Sequence, residues 1–178
     1  MLMKEIAVSE TWADPVVGIE LASERPLELA RTNNGLLWVV SSVLVNYDER
    51  VDELIASLSP VRHHGYIHWP HMQLLDEGVH VVEIQSAALV VPLAFRDIPD
   101  FYSANRLVCV NHFELLAWAR VHLSDNEDVS AIAFGSSCDI AGTRNYVVYR
   151  QNSIRREVDL CPEDPVPSGM TVLGKRPV

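Results

Sequence analysis

The sequence predicts an α+β fold, a mostly antiparallel sheet with two to three helices in a single compact domain. Three observations predict it. Apolar runs of strand length recur along the chain, only two stretches have a firm helical period, and the C-terminal half alternates strand-like runs with short polar turns. Short turns suit hairpins, whereas a doubly wound parallel sheet would need more long crossover helices.

From the N-terminus, Glu5 to Ser9 and Val16 to Ala22 read as short strands parted by the turn signal Asp14-Pro15. Pro26 to Thr32 has Pro in a first helical turn and Asn33-Asn34-Gly35 as a stop, which predicts a short helix. Leu36 to Val45 is apolar on both faces, with Trp38 among Val and Leu, as a strand covered on both sides must be. Asp48 to Leu58 is the clearest amphipathic helix. Val51, Leu54, Ile55 and Leu58 recur at i, i+3, i+4 and i+7, while Asp48, Glu49, Asp52 and Glu53 take the other face and first turns.

Val79 to Gln85 alternates and Ala87 to Val91 is an apolar run, so both read as strands. Arg106 to Val110 is a further short strand. Asn111 then opens a helix to about Leu123, with Glu114 placed to complete a polar cap. Phe113, Leu115, Leu116, Ala117, Trp118, Ala119 and Val121 leave that helix almost no polar face, so it should lie between a sheet and another layer. Ser124 to Asp128 is a polar loop, and Val129 to Phe134, Tyr146 to Gln151 and Ile154 to Leu160 form a strand meander. The domain is thereby drawn as residues 1–160. Residues 161–178, with Pro162, Pro165, Pro167 and Pro177, are expected as an extended tail packed over its surface, because proline removes amide donors.

Length and composition bound the function. The chain has 178 residues, 48% hydrophobic and 21% charged, a folding composition close to one domain's length. Its 24 acidic residues against 14 basic ones give a net charge of −10, which argues against a nucleic-acid partner, since phosphate binding depends on counterion release by cations. Three cysteines, Cys109, Cys138 and Cys161, make no C-x-x-C pair and suit a reducing compartment. The start has no secretory pattern, and the longest apolar runs fall short of the ~20 residues of a membrane span. A cytoplasmic location is expected. Of the basic residues two are Lys and twelve are Arg, a bias associated with GC-rich bacterial genomes.

Candidate chemistry is sparse. His63, His64, His68, His71 and His80 crowd one stretch, and imidazole is both metal ligand and near-neutral base. On a strand, however, His64 and His68 would stand about 13 Å apart, too far for one metal. Only His68 and His71 could converge, with Asp76 or Glu77 as oxygen donor. Tyr66 and Trp69 beside them favour a partner-contact loop instead. Gly135-Ser136-Ser137-Cys138-Asp139 lacks the second glycine of a nucleophile elbow and reads as a hairpin loop; Cys138 would need a neighbouring His to become a nucleophile. Arg144, Arg150, Arg155 and Arg156 are explained by pairing with Asp139, Glu157 and Asp159 without invoking an anion.

The acidic residues are more informative as groups, on Asp48 to Glu53, at Asp125, Glu127 and Asp128, around Asp97 and Asp100, and at Glu163 and Asp164. Carboxylates so clustered complement a basic protein and mimic the phosphates a nuclease binds. The sequence therefore points to an acidic, non-enzymatic module that binds a basic partner, of the physical type of an immunity protein or antitoxin blocking a nuclease-type toxin domain. The expected contacts are Asp48, Glu49, Asp52, Glu53, Tyr66, His68, Trp69, His71, Asp125, Glu127 and Asp128, with no cofactor or metal and no membrane. The alternative is a small hydrolase or metal enzyme built on the histidines from His63 to His80. A homodimer docked through the helix from Asn111 to Leu123 is a third class.

Overall fold

The computed structural model describes residues 29–31, 37–58, 61–63, 76–122, 128–152, 155–162 and 164–177. The strands are β1 (Leu29–Arg31), β2 (Leu37–Asn46), β3 (Val61–His63), β4 (Val79–Ala88), β5 (Val108–Cys109), β6 (Val129–Ile140), β7 (Thr143–Gln151), β8 (Arg156–Cys161) and β9 (Thr171–Lys175). The helices are α1 (Val51–Ser57), α2 (Ile98–Ala104) and α3 (His112–Val121). The strands join in one sheet of order β1-β2-β4-β9-β6-β7-β8-β3, and β5 pairs with β9. Only β3–β8 and β6–β9 are parallel, so the fold is the mostly antiparallel α+β arrangement that the hairpin spacing predicts.

The sheet is covered on both faces, and side-chain alternation sorts residues between them. On β6, Ala131 and Ala133 face one core while Ile132 and Phe134 face the other; on β7, Val147 and Tyr149 oppose Tyr146 and Val148. The first core is closed by α1 and α3 through Leu54, Ile55, Leu58, Phe113 and Leu116. The second is closed by α2 and its flanks through Ile98, Tyr102, Leu107, Val166 and Met170. Packing against both the sheet and α1 explains why α3 carries so little polar character. Helix α3 lies against β2 and β6 on one side and α1 on another. Its start is capped as its sequence predicts: the Asn111 side chain accepts the Glu114 amide at 3.1 Å, and Glu114 Oε2 accepts the Asn111 amide at 2.8 Å.

Several expectations are corrected. Leu29–Arg31 is a strand, not part of a helix, because its residues pair with Leu37–Val39 of β2. Helix α1 begins at Val51, three residues after Asp48, since Tyr47 and Asp48 are held in a turn against Gly78. Val79–Ala88 is one strand rather than two, and Leu89 leaves it to bond Met170 and Gly169. Helix α2, at Ile98–Ala104, has no clear helical period in its sequence; Pro99 near its start and the cap at its end define it. Strand β6 runs on through the supposed loop to Ile140, and the hairpin turns at Ala141 and Gly142, both with positive φ. The expected strands at Glu5 to Ser9 and Val16 to Ala22 lie outside the described residues.

The largest correction concerns the C-terminal segment. Thr171–Lys175 is an interior strand of the sheet, not a surface tail: β4 borders it on one edge, and β6 followed by β5 on the other. Val172, Leu173 and Gly174 are buried. Gly174 allows close packing there: a Cβ would lie 2.9 Å from Leu107 Cδ1 and 3.2 Å from Tyr102 Cε1, so those side chains would have to shift to admit one. Among the described residues no helix is long and apolar enough to cross a membrane.

Candidate functional site

At one end of β2 the chain folds into an acidic corner. Asn46 closes an Asx turn, its Oδ1 accepting the Asp48 amide at 3.1 Å. The Tyr47 amide donates to the Gly78 carbonyl at 2.9 Å, and the Gly78 amide donates to Asp48 Oδ1 at 3.0 Å. Gly78 takes a φ of +79°, which suits a residue without Cβ. These bonds bring Asp76 and Glu77 beside Asp48, with Asp52 and Glu53 following in the first turn of α1. All five are exposed. Arg50 is the exposed cation in the same turn, and Lys175 approaches Asp76 at 3.9 Å.

An apolar surface adjoins the corner. Residues of β2 and β4 pair as Leu44↔Val81 and Asn46↔Val79, so Leu44, Val79 and Val81 share one face with Ser42 and Glu83. This is the face that α2 covers farther along the sheet, around Trp38 and Ala87. Here it is open: Leu44 is 50% exposed, Val79 56% and Val81 71%. An apolar centre beside charged groups is the composition of a protein-binding patch.

The corner is anchored from inside by a polar cluster. Glu114 is fully buried, and its Oε1 accepts both the Tyr47 hydroxyl at 2.7 Å and Lys175 Nζ at 2.5 Å. Burial, reinforced by the adjacent Glu114 carboxylate, raises the Tyr47 phenol far above its ordinary value, so it serves as a donor. Both carboxylate oxygens are thereby committed, and the cluster positions Tyr47 and the turn that follows it.

A second buried pair lies at the start of α3. Ser136 Oγ accepts the His112 amide at 2.9 Å and sits 2.8 Å from His112 Nδ1. Ser136 is placed by an irregularity in β6, where Gly135 donates to the Val110 carbonyl at 2.8 Å. The seryl oxygen thus satisfies an otherwise open amide of the helix start, a structural use of the G-x-S segment. Burial lowers the His112 pKa to about 4, keeping the ring neutral. Cys138 is shifted upward by burial and by the Asp139 charge, the reverse of what a nucleophilic thiol needs. The arginines of the C-terminal strands are engaged: Arg144 with Asp139 at 3.6 Å, Arg150 with Asp159 at 3.4 Å and Arg155 with Glu157 at 3.5 Å, while Arg156 donates to the Leu58 carbonyl at 3.4 Å.

Of the residues proposed from sequence, Asp48, Asp52 and Glu53 come together at the corner. Glu49 does not join them as a free charge, because Arg120 of α3 pairs with it at 3.3 Å while also bonding Ser57. Asp128 is exposed before β6, three strands away from β2 in the sheet order. Tyr66, His68, Trp69, His71, Asp125 and Glu127 lie outside the described residues. His80 is exposed, its Nε2 lying 2.6 Å from the Glu77 carbonyl oxygen. Sequence reasoning admits Asp76 and Glu77 only as metal donors and misses the open face. The available signal is Glu83, whose carboxylate at i+2 and i+4 from Val81 and Val79 marks that face as solvent-side.

No protein-family model matches the chain, and no curated protein or solved structure matches it significantly.

Proposed function

We propose that the chain is an acidic protein-binding module that occupies and neutralises a basic partner, in the manner of an immunity protein or antitoxin that blocks a nuclease-type toxin. The observation that supports this reading is the acidic corner. Asp52, Glu53 and Glu77 are exposed without an ion-pair partner among the described residues, while Arg120, Arg144, Arg150 and Arg155 are engaged within the fold. Unpaired carboxylates keep their full field for an incoming cationic surface and raise the association rate, and the adjoining Leu44, Val79 and Val81 provide apolar area for affinity. A partner whose cleft binds phosphates would be blocked sterically and electrostatically.

The test is co-expression with any basic protein encoded beside it. The two should copurify, and the pair Asp52→Lys with Glu53→Lys should slow association at least tenfold at low salt, with the difference shrinking as salt screens the charges. Absence of binding, together with no protection of cells producing the neighbour, would overturn the reading.

A further inference from the structure

Strand β9 sits in a slot that the rest of the sheet forms around it. Its segment is held by residues far away in the chain: Leu93 and Val166 exchange two backbone bonds of 2.9 Å, the Gly169 amide donates to the Leu89 carbonyl at 2.8 Å, and Thr171–Lys175 pair with Ile84–Ala88. On the other edge β9 meets β6 and β5. The preceding strand, β8, lies beyond β6 and β7 in the sheet order, so among the described strands β9 alone joins β1-β2-β4 to β6-β7-β8-β3. The slot also reads side chains. The Tyr102 hydroxyl donates to the Leu173 carbonyl at 2.6 Å, a Cβ at Gly174 would press on Leu107 and Tyr102, and Lys175 reaches the buried Glu114. A slip by one residue would turn Leu173 and Lys175 away from the face that α3 covers.

We propose that this slot also takes the same segment from a second copy of the chain, giving a strand-exchanged dimer in which each copy inserts its residues 164–177 into the other. The pairings of β9 are all with distant residues, and an identical copy offers the same ones, so only the stretch between Cys161 and Val166 has to take a different course. Each copy then supplies the Lys175 that holds the other's Glu114. Charge assists the exchange. Asp164, Lys175 and Arg176 give residues 164–178 a net charge of +1 in a chain of −10, so a weakly cationic segment enters a strongly acidic body. Repulsion between the two acidic bodies opposes it and is screened by salt. Dilution favours the chain's own segment, which the tether keeps at high effective concentration. Exchange does not depend on what the acidic corner binds.

The test begins with the full chain, unfolded in urea and refolded in high salt at low and at high protein concentration. A dimer should appear, with a ratio to monomer that grows in proportion to the monomer concentration. Two variants then identify the surface. Gly174→Val crowds Leu107 and should lower the melting temperature by about 5 °C or more, while Leu107→Ala leaves a gap in the slot. Refolded together, the two should give a dimer that melts about 5 °C or more above either variant refolded alone, since one slot regains both original side chains and the other matches a larger side chain with a smaller neighbour. Monomer alone at every concentration would overturn the proposal. A wild-type dimer, combined with a mixture that melts as its two variants do separately, would overturn it as well, because association would then run through another surface. A Gly174→Val chain as stable as wild type would also reject it, since the slot would not select its strand. Where Gly174→Val alone does not fold, recovery of a folded heterodimer from the mixture is the supporting result and continued aggregation of that chain the opposing one.

Discussion

Lys175 and Glu114 stand 61 positions apart and meet between the sheet and α3, with Nζ 2.5 Å from Oε1. The carboxylate is fully buried, whereas the lysine side chain keeps 22% of its surface exposed. The same Glu114 oxygen holds the Tyr47 hydroxyl. One carboxylate therefore ties the last strand, the cap of α3 and the acidic corner together.

Removal of the cation leaves that carboxylate buried with too few donors. Lys175→Met should cost about 3 kcal/mol in urea denaturation, as breaking one side of a buried pair does. Combining it with Glu114→Gln should cost less than the sum of the two single changes, because both remove the same contact.

His112 imposes a pH dependence of definite sign. Its pKa is about 4 in the fold and about 6.5 when exposed. Between those values the unfolded chain binds the extra proton, so stability falls as pH falls through this window, by a total on the order of 3 kcal/mol. His112→Asn should remove this part of the slope, measured as the urea midpoint against pH from 7 to 4.

Two glycines should respond differently to alanine. At Gly135 a Cβ would stand 2.5 Å from the Val110 carbonyl oxygen, so Gly135→Ala must displace the α3 start and should cost about 2 kcal/mol or more. Gly142 has open space around it but a φ of +80°, so Gly142→Ala should cost only about 1 kcal/mol. Thermal unfolding of the two variants separates steric from backbone strain.

Arg106 has a φ of +54° at the end of α2. Its amide bonds the Ser103 carbonyl at 3.1 Å and the Leu107 amide bonds that of Tyr102 at 3.0 Å, the pattern of a helix end that favours glycine. Arg106→Gly should therefore raise stability, by about 0.5 kcal/mol after the added freedom of glycine in the unfolded chain is counted. A rise in the melting temperature with unchanged secondary structure is the expected result.

Features decided within a few residues of one another are legible in the sequence. The Asn111 and Glu114 cap, the limits of β2 and the core face of α1 follow from side-chain chemistry and spacing alone, since the groups that decide them are neighbours in the chain. The acidic cluster at Asp48, Asp52 and Glu53 is legible in the same way. Glu49 is not separable from it by sequence, because Arg120 reaches it from another helix.

The sequence by itself determined the α+β class, the chemistry of the acidic corner and the absence of charge along β2, all of which depend on composition and local period. Tertiary structure alone decided that Thr171–Lys175 enters the middle of the sheet, that Gly78 brings Asp76 and Glu77 to Asp48, and that Leu44 and Val81 remain open. The physical reason is that strand order, register and the coverage of a face arise from pairings between distant segments. A five-residue strand preceded by prolines carries no local period strong enough to announce its neighbours.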